Sequence, residues 1–158
     1  MRDVTATIVS ACLAGGPCRP DGALLADAEI VAAARRGEVI TVCPAVEGGL
    51  GVPRERTVLD GGDGLAVLKG TARVRTLSGQ DVTDQAVLGV VKVAADARAA
   101  HVTTAILQSD SALCGVRTAP DAAGVPVGSG ILAVVLNCQG VAVREVRGTL
   151  SQRCLPES

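Results

Sequence analysis

The chain has 158 residues, with 15 Lys+Arg against 16 Asp+Glu, and 48% of it is hydrophobic. That length fits one domain, which at this size buries roughly 70% of the surface its unfolded chain exposes, so a core needs no covalent staple. A net charge of −1 excludes the broad positive field of a nucleic-acid binder. Apolar runs such as 131–136 fall far short of the ~18 residues of a membrane span, and high hydropathy with small net charge excludes intrinsic disorder.

There is no Phe, Tyr or Trp. The core must be built from Val, Ala, Leu and Ile, and the aromatic platforms on which single-stranded bases stack are missing. Six cysteines occur: Cys12, Cys18, Cys43, Cys114, Cys138 and Cys154. Three disulfides are formally possible, but dense disulfides belong to small secreted domains without a core. Reduced thiols and a cytoplasmic location are the expectation.

Val4 to Ser10 is short and β-branched, so it reads as a strand. The tetrad Val9-Ser10-Ala11-Cys12 resembles a lipoprotein cleavage box. The apolar stretch ahead of it is short, however, and Asp3 stands where a positive leader is expected. A strand entering the Gly-rich loop Ala14-Gly15-Gly16-Pro17 is the better reading. Leu24 to Arg36 has helical composition and stops at Gly37. Val39 to Val42 is a second strand, ending at Cys43-Pro44. Residues 47–64, rich in Gly, Pro and charge, read as a long loop, and Ala66 to Leu77 as a small hairpin.

Thr83 is the expected N-cap of a helix whose stripe Val87, Val90, Val91 and Ala94 runs to about Ala100. Val102 to Gln108 is a third strand, and 109–127 a polar loop. Gly128-Ser129-Gly130 leads into an apolar helix, Ile131 to Cys138, where Cys138 reads as a packed thiol. The Gly-Ser-Gly step fits close helix–sheet packing better than an anion site. Val141 to Val146 is a fourth strand. The expected fold is α/β: one domain (1–150), three-layered and Rossmann-like with a mainly parallel sheet, followed by a loose tail (151–158).

In open α/β sheets, ligands bind beyond the carboxyl ends of the strands. Cys12, Cys43 and Cys114, with Ser109 and Ser111, all fall just past such ends. Packing as small hydrophobes is the plain alternative for these thiols. A shared metal is the chemical one. The Cys-x-x-Cys pairs of a zinc site are absent, whereas iron–sulfur clusters take thiolates from distant segments. With three cysteines, one iron of a cubane cluster lacks a protein ligand, and an open, soft metal position suits a sulfur-bearing substrate. Cys18 is a candidate resolving thiol, and Cys12 or Cys18 a candidate metal-free nucleophile beside Arg19. Cys154 reads as incidental. Asp21-Gly22 reads as a turn rather than a site contact, Arg54 and Arg56 as solvated rather than holding an anionic group, and His101 as complementing a helix C-terminus.

Ser10-Ala11-Cys12-Leu13-Ala14-Gly15 and Cys18-Arg19-Pro20-Asp21-Gly22 resemble the opening of the 2-thiouracil desulfidase family. The match continues through Cys43-Pro44, Gly48-Gly49-Leu50 with Pro53-Arg54, and Gly79-Gln80-Asp81-Val82-Thr83. It resumes at Ala105-Ile106-Leu107 with Ser111-Ala112-Leu113-Cys114-Gly115, and more weakly at Gly128-Ser129-Gly130-Ile131 and Gly140-Val141. The resemblance implies an oxygen-sensitive [4Fe–4S] cluster on Cys12, Cys43 and Cys114. It implies conversion of 2-thiouracil to uracil and sulfide, with Ser111 in the family's active-site serine position.

Several positions depart from the family pattern. Ala45 stands where the family carries an acid/base Glu, and Glu47 is the nearest replacement. Gln108 and Asp110 stand where Lys and Arg or Asn are usual, and Pro20 where Tyr is. The expected partner is a small thiopyrimidine or thioamide, with no nucleic acid and no membrane. A cluster-binding or sulfur-carrier protein without turnover is the alternative function.

Overall fold

A computed structural model describes residues 6–16, 25–52, 54–147 and 149–150. Four parallel strands form the central sheet: β1 (Ala6–Ser10), β3 (Ile40–Val42), β6 (Val102–Gln108) and β9 (Ala142–Val146). Their spatial order is β3-β1-β6-β9. Side chains alternate across the sheet. Ile8, Ala105 and Leu107 point into one apolar cluster, Val9 and Ile106 into another. The second cluster is closed by Ile30 of α1 (Ala28–Arg35). The first is larger. It is closed by α4 (Thr83–Ala99) through Ala86, Val90, Val93 and Ala97, and by α5 (Ile131–Cys138) through Ile131, Leu132, Ala133 and Leu136. Helices on both faces make the three layers, as expected. The ring-free core is assembled from aliphatic side chains, with Ile8, Leu13, Leu59, Leu107, Ile131, Leu132 and Leu136 the largest of those fully buried.

Element boundaries differ from expectation where side-chain chemistry decides them. Asp27 accepts the Ile30 amide at 3.1 Å and caps α1 there. Leu25–Ala26 therefore stays outside the helix and forms a short strand, β2, antiparallel to β10 (Thr149–Leu150). The chain after 148 is thus paired for two residues, and 151–158 lie outside the described residues. Thr83 is not the cap of α4. It is the first helical residue after Val82, and Asp81 accepts both its amide (2.9 Å) and its hydroxyl (2.6 Å).

The expected loop over 47–64 contains β4 (Thr57–Asp60), and the expected hairpin over 66–77 is not one. β4 instead pairs antiparallel with β5 (Arg73–Thr76), across the short helix α3 (Gly64–Leu68). Flanking Gly and charge hide β4 in sequence, but Val58, Leu59 and Val74 are buried. The loop over 109–127 likewise holds part of a small ribbon, β7 (Ala119–Pro120) with β8 (Pro126–Gly128). The remaining helix, α2 (Pro44–Glu47), is a single turn directly after β3, with Cys43 as its N-cap residue.

Candidate cluster site

The three thiols leave adjacent strands. Cys12 sits in a 3-10 turn (Ala11–Ala14) immediately beyond β1. Cys43 follows β3, whose last residue Val42 is in register with Ser10. Cys114 follows β6, on the other side of β1. All three therefore gather at the carboxyl rim of the sheet. Cys12 and Cys114 are buried, Cys43 is partly exposed, and none is in a disulfide.

Backbone geometry holds each one. Gly15, in the left-handed region (φ 89), closes the Cys12 turn. Pro44, at the first position of α2, suits the fixed φ of a helix start. The Cys114 loop is tied down by Ser111, whose hydroxyl oxygen accepts the amides of Leu113 (3.3 Å) and Cys114 (3.1 Å). The head of α5 reinforces it: Gly130 donates to the Gly115 carbonyl at 2.6 Å and Leu132 to that of Leu113 at 2.9 Å. A Cβ at Gly130 would stand 2.5 Å from the Leu113 carbonyl oxygen, so the Gly128-Ser129-Gly130 step serves close packing, as expected.

The electrostatics single out Cys114. Burial pushes its thiol up to about 11, and the nearby Cys43 adds to the rise. Hydrogen bonds with Ser10 and Ser111 and the positive charge of Arg54 act in the opposite direction. Cys43, Ser10, Ser111 and Arg54 thus all bear on one sulfur. Ser10 is 2% exposed and also accepts the Gln108 amide at 2.9 Å, which ties the ends of β1 and β6 together.

Arg54 corrects the expectation of a solvated arginine. Its Nη1 donates to the Gly51 carbonyl at 2.8 Å, and its Nε is buried with no acceptor among the described residues. The Ser109 hydroxyl, past the end of β6, is also buried with no partner among the described residues. Sequence reasoning missed Ser10 and Arg54 as site residues. The available signals were a polar residue ending an apolar strand and an arginine inside a matched motif.

Other expected residues are placed as follows. Glu47 ends α2, exposed, one turn beyond Cys43. Ala45 is buried among core residues. Gln108 is buried and its side-chain amide donates to the Ser109 carbonyl at 3.1 Å, while Asp110 pairs with Arg147 at 2.9 Å. Arg56 is exposed, and His101 follows the C-terminus of α4 with φ 54. Cys138 is not packed. It is exposed at the end of α5, because Ile131, Leu132, Ala133 and Leu136 take the core face and position 138 falls on the outer one. Cys18, Arg19, Pro20, Asp21, Gly22 and Cys154 lie outside the described residues. Among the described residues no group of three or more His, Cys, Asp or Glu stands close enough together to hold a metal ion. No helix there is long and apolar enough to cross a membrane.

A Bacillus subtilis (strain 168) protein named "Uncharacterized protein YbbK" is 34% identical over 139 residues, covering 86% of this chain and 92% of that protein. A solved structure titled "[4Fe-4S]-dependent thiouracil desulfidase TudS" superposes with a TM-score of 0.76 at 30% identity, over 89% of each chain. The profile of the 2-thiouracil desulfurase family matches residues 7–146. With its cysteines at one rim and a family match across nearly all of its length, the chain belongs to the 2-thiouracil desulfurase family.

Proposed function

We propose that this protein is an iron–sulfur-dependent desulfidase acting on a thiolated pyrimidine of the 2-thiouracil kind. The reaction exchanges a thiocarbonyl for a carbonyl: water supplies oxygen to the carbon, the carbon–sulfur bonds break, and hydrogen sulfide leaves. Atoms balance with one water, and no electrons are exchanged. The observation that supports this reading is that Cys12, Cys43 and Cys114 follow three adjacent strands at the carboxyl end of the sheet, outside any disulfide.

The donor set fits a [4Fe–4S] cluster. A cluster is broader than a single ion, so its thiolates stand farther apart than those of a mononuclear site. Burial, with a smaller contribution from Cys43, holds the proton on Cys114, and metal coordination would deprotonate such a thiol outright. Cys12, Cys43 and Cys114 would be the ligands. A bound cluster would supply a soft Lewis acid there.

The chain's own residues divide the proton work. A serine hydroxyl has one donor and two acceptor lone pairs. Ser111 spends its acceptor capacity on the amides of Leu113 and Cys114, so its remaining role is to donate, toward sulfur. It is therefore a poor base for water. Glu47 carries a carboxylate one turn beyond Cys43, exposed and able to exchange protons with solvent. We assign it the acceptance of the proton from attacking water. Burial of Ala45 in the core favours one second reading, a cluster-bearing protein without turnover.

The test is anaerobic loading with iron and sulfide, then incubation with 2-thiouracil. Uracil and hydrogen sulfide in equal amounts are expected. A fully loaded protein that releases no sulfide overturns the desulfidase reading in favour of the second one.

A further inference from the structure

We propose that Glu145 is a positioning residue for Cys114: its carboxylate closes the loop that carries this thiol and so holds the sulfur ready for a cluster. The inference rests on the reading of Cys114 as a cluster ligand and extends it to what keeps that ligand in place.

Glu145 lies near the carboxyl end of β9, in register with Leu107 of β6. Register partners in parallel strands point to the same face. Leu107 is fully buried in the larger apolar cluster, and Val143 of β9 packs against the same cluster. A carboxylate is out of place there. Strands disfavour Glu, and a partly buried charge is costly unless it is hydrogen-bonded. Among the described residues no cation pairs with it. Its hydrogen bonds go to the Cys114 loop instead.

Oε1 accepts the Val116 amide at 2.9 Å and the Thr118 hydroxyl at 2.5 Å. The Thr118 oxygen in turn accepts the Asp110 amide at 2.7 Å. One oxygen therefore ties both ends of 110–118 to β9, and Cys114 stands at the middle of that segment. The Val116 peptide is gripped on both sides, since the Ser129 hydroxyl donates to its carbonyl at 2.6 Å. Asp110 sits at φ 59, a left-handed conformation that a non-glycine residue keeps only when its surroundings hold it. Its exposed pair with Arg147 is a weak tie, whereas hydrogen bonds to a charged acceptor are the strong kind. Ser111 and the head of α5 hold the inside of the loop, and Glu145 holds its mouth.

The experiment alkylates the cluster-free protein with iodoacetamide under native conditions and follows Cys114 and Cys12 separately by peptide mass spectrometry. The two thiols are matched references, 6% and 7% exposed. Glu145→Ala is expected to raise the Cys114 rate roughly tenfold or more and to leave Cys12 close to wild type. Glu145→Gln keeps a carbonyl oxygen for both donors and is expected to restore slow alkylation. Thr118→Val, which cuts the link to Asp110, is expected to reproduce the alanine result in part. General unfolding exposes both thiols alike, so the ratio of Cys114 to Cys12 reads the loop alone. A wild-type ratio in Glu145→Ala overturns the proposal, and so does an equal rise at both thiols. After anaerobic loading, Glu145→Ala is expected to lose iron to a chelator faster than wild type, and Glu145→Gln at the wild-type pace. Unchanged iron loss in Glu145→Ala overturns the proposal too. Wild type that takes up no iron defeats the cluster reading, while the alkylation ratio still decides for or against Glu145.

Discussion

A methyl group on Gly89 of α4 would stand 1.8 Å from the carbonyl oxygen of Pro44, the first residue of α2. The contact is reciprocal: a Cβ on Gly48 would stand 2.0 Å from the Gln85 carbonyl oxygen. Two helix backbones meet through paired glycines, and Cys43 is the residue directly before that contact. Gly89→Ala must push α2 off α4. It should cost about 1–3 kcal/mol by overpacking, outweighing the gain of roughly 1 kcal/mol in helix propensity. Urea denaturation reads the cost. Unchanged stability would show that the two helices do not approach this closely.

Iron content separates the rim cysteines from the others. Cys12→Ser, Cys43→Ser and Cys114→Ser should each strip most of the iron and acid-labile sulfide from anaerobically loaded protein. Cys138→Ser, at an exposed position on another element, should load like wild type. Iron lost equally from the Cys138 variant would remove the distinction.

Proton transfer divides between two residues. Glu47→Gln should lower kcat about a hundredfold or more with little change in KM, the size expected for a positioned base. Ser111→Ala removes its hydrogen bond to sulfur together with the two amide contacts that hold the Cys114 loop and should cost roughly tenfold or more. Steady-state sulfide release measures both. A Glu47→Gln enzyme at full rate would leave water activation to another group.

Two pH windows follow from the shifted groups. In cluster-free protein the Cys114 thiol titrates at about 11 rather than near 9. Between those values the unfolded chain has lost a proton that the folded one keeps, so stability should fall as pH rises from about 9 to 11. Cys114→Ala should flatten that slope in urea melts. At the acid end, Asp81 is held well below the usual carboxylate range by Arg73, 2.7 Å away, and by Thr83. Its contribution is present above about pH 4 and is lost as pH falls, a modest effect for an exposed pair. Asp81→Asn should remove that part of the acid dependence.

Much of this was legible in the chain itself. β1, β3 and β6 are short runs rich in β-branched residues, each followed by one of Cys12, Cys43 and Cys114, so the rule that open α/β sheets bind ligands beyond the carboxyl ends of their strands set these thiols on one rim. β4 was not legible, because Thr57–Asp60 lies between charged and glycine-rich stretches and gains its structure only by pairing with β5. Cys138 was misjudged because an apolar eight-residue helix gives no sharp face by periodicity, and the burial of Ile131, Leu132 and Leu136 decides it. Arg54 was misjudged because exposure depends on chain folding around Gly51, which spacing does not encode. Ser10 escaped notice because its partners, Gln108 and Cys114, are about a hundred positions away.

The most direct measurement is an anomalous-scattering map at the iron edge, from crystals grown without oxygen after loading. A compact four-iron peak bonded to the sulfur atoms of Cys12, Cys43 and Cys114, with one iron bound by no protein atom, is the expected result. Iron held by Cys18 or Cys138 instead, or no iron at the rim of β1, β3 and β6, would contradict it.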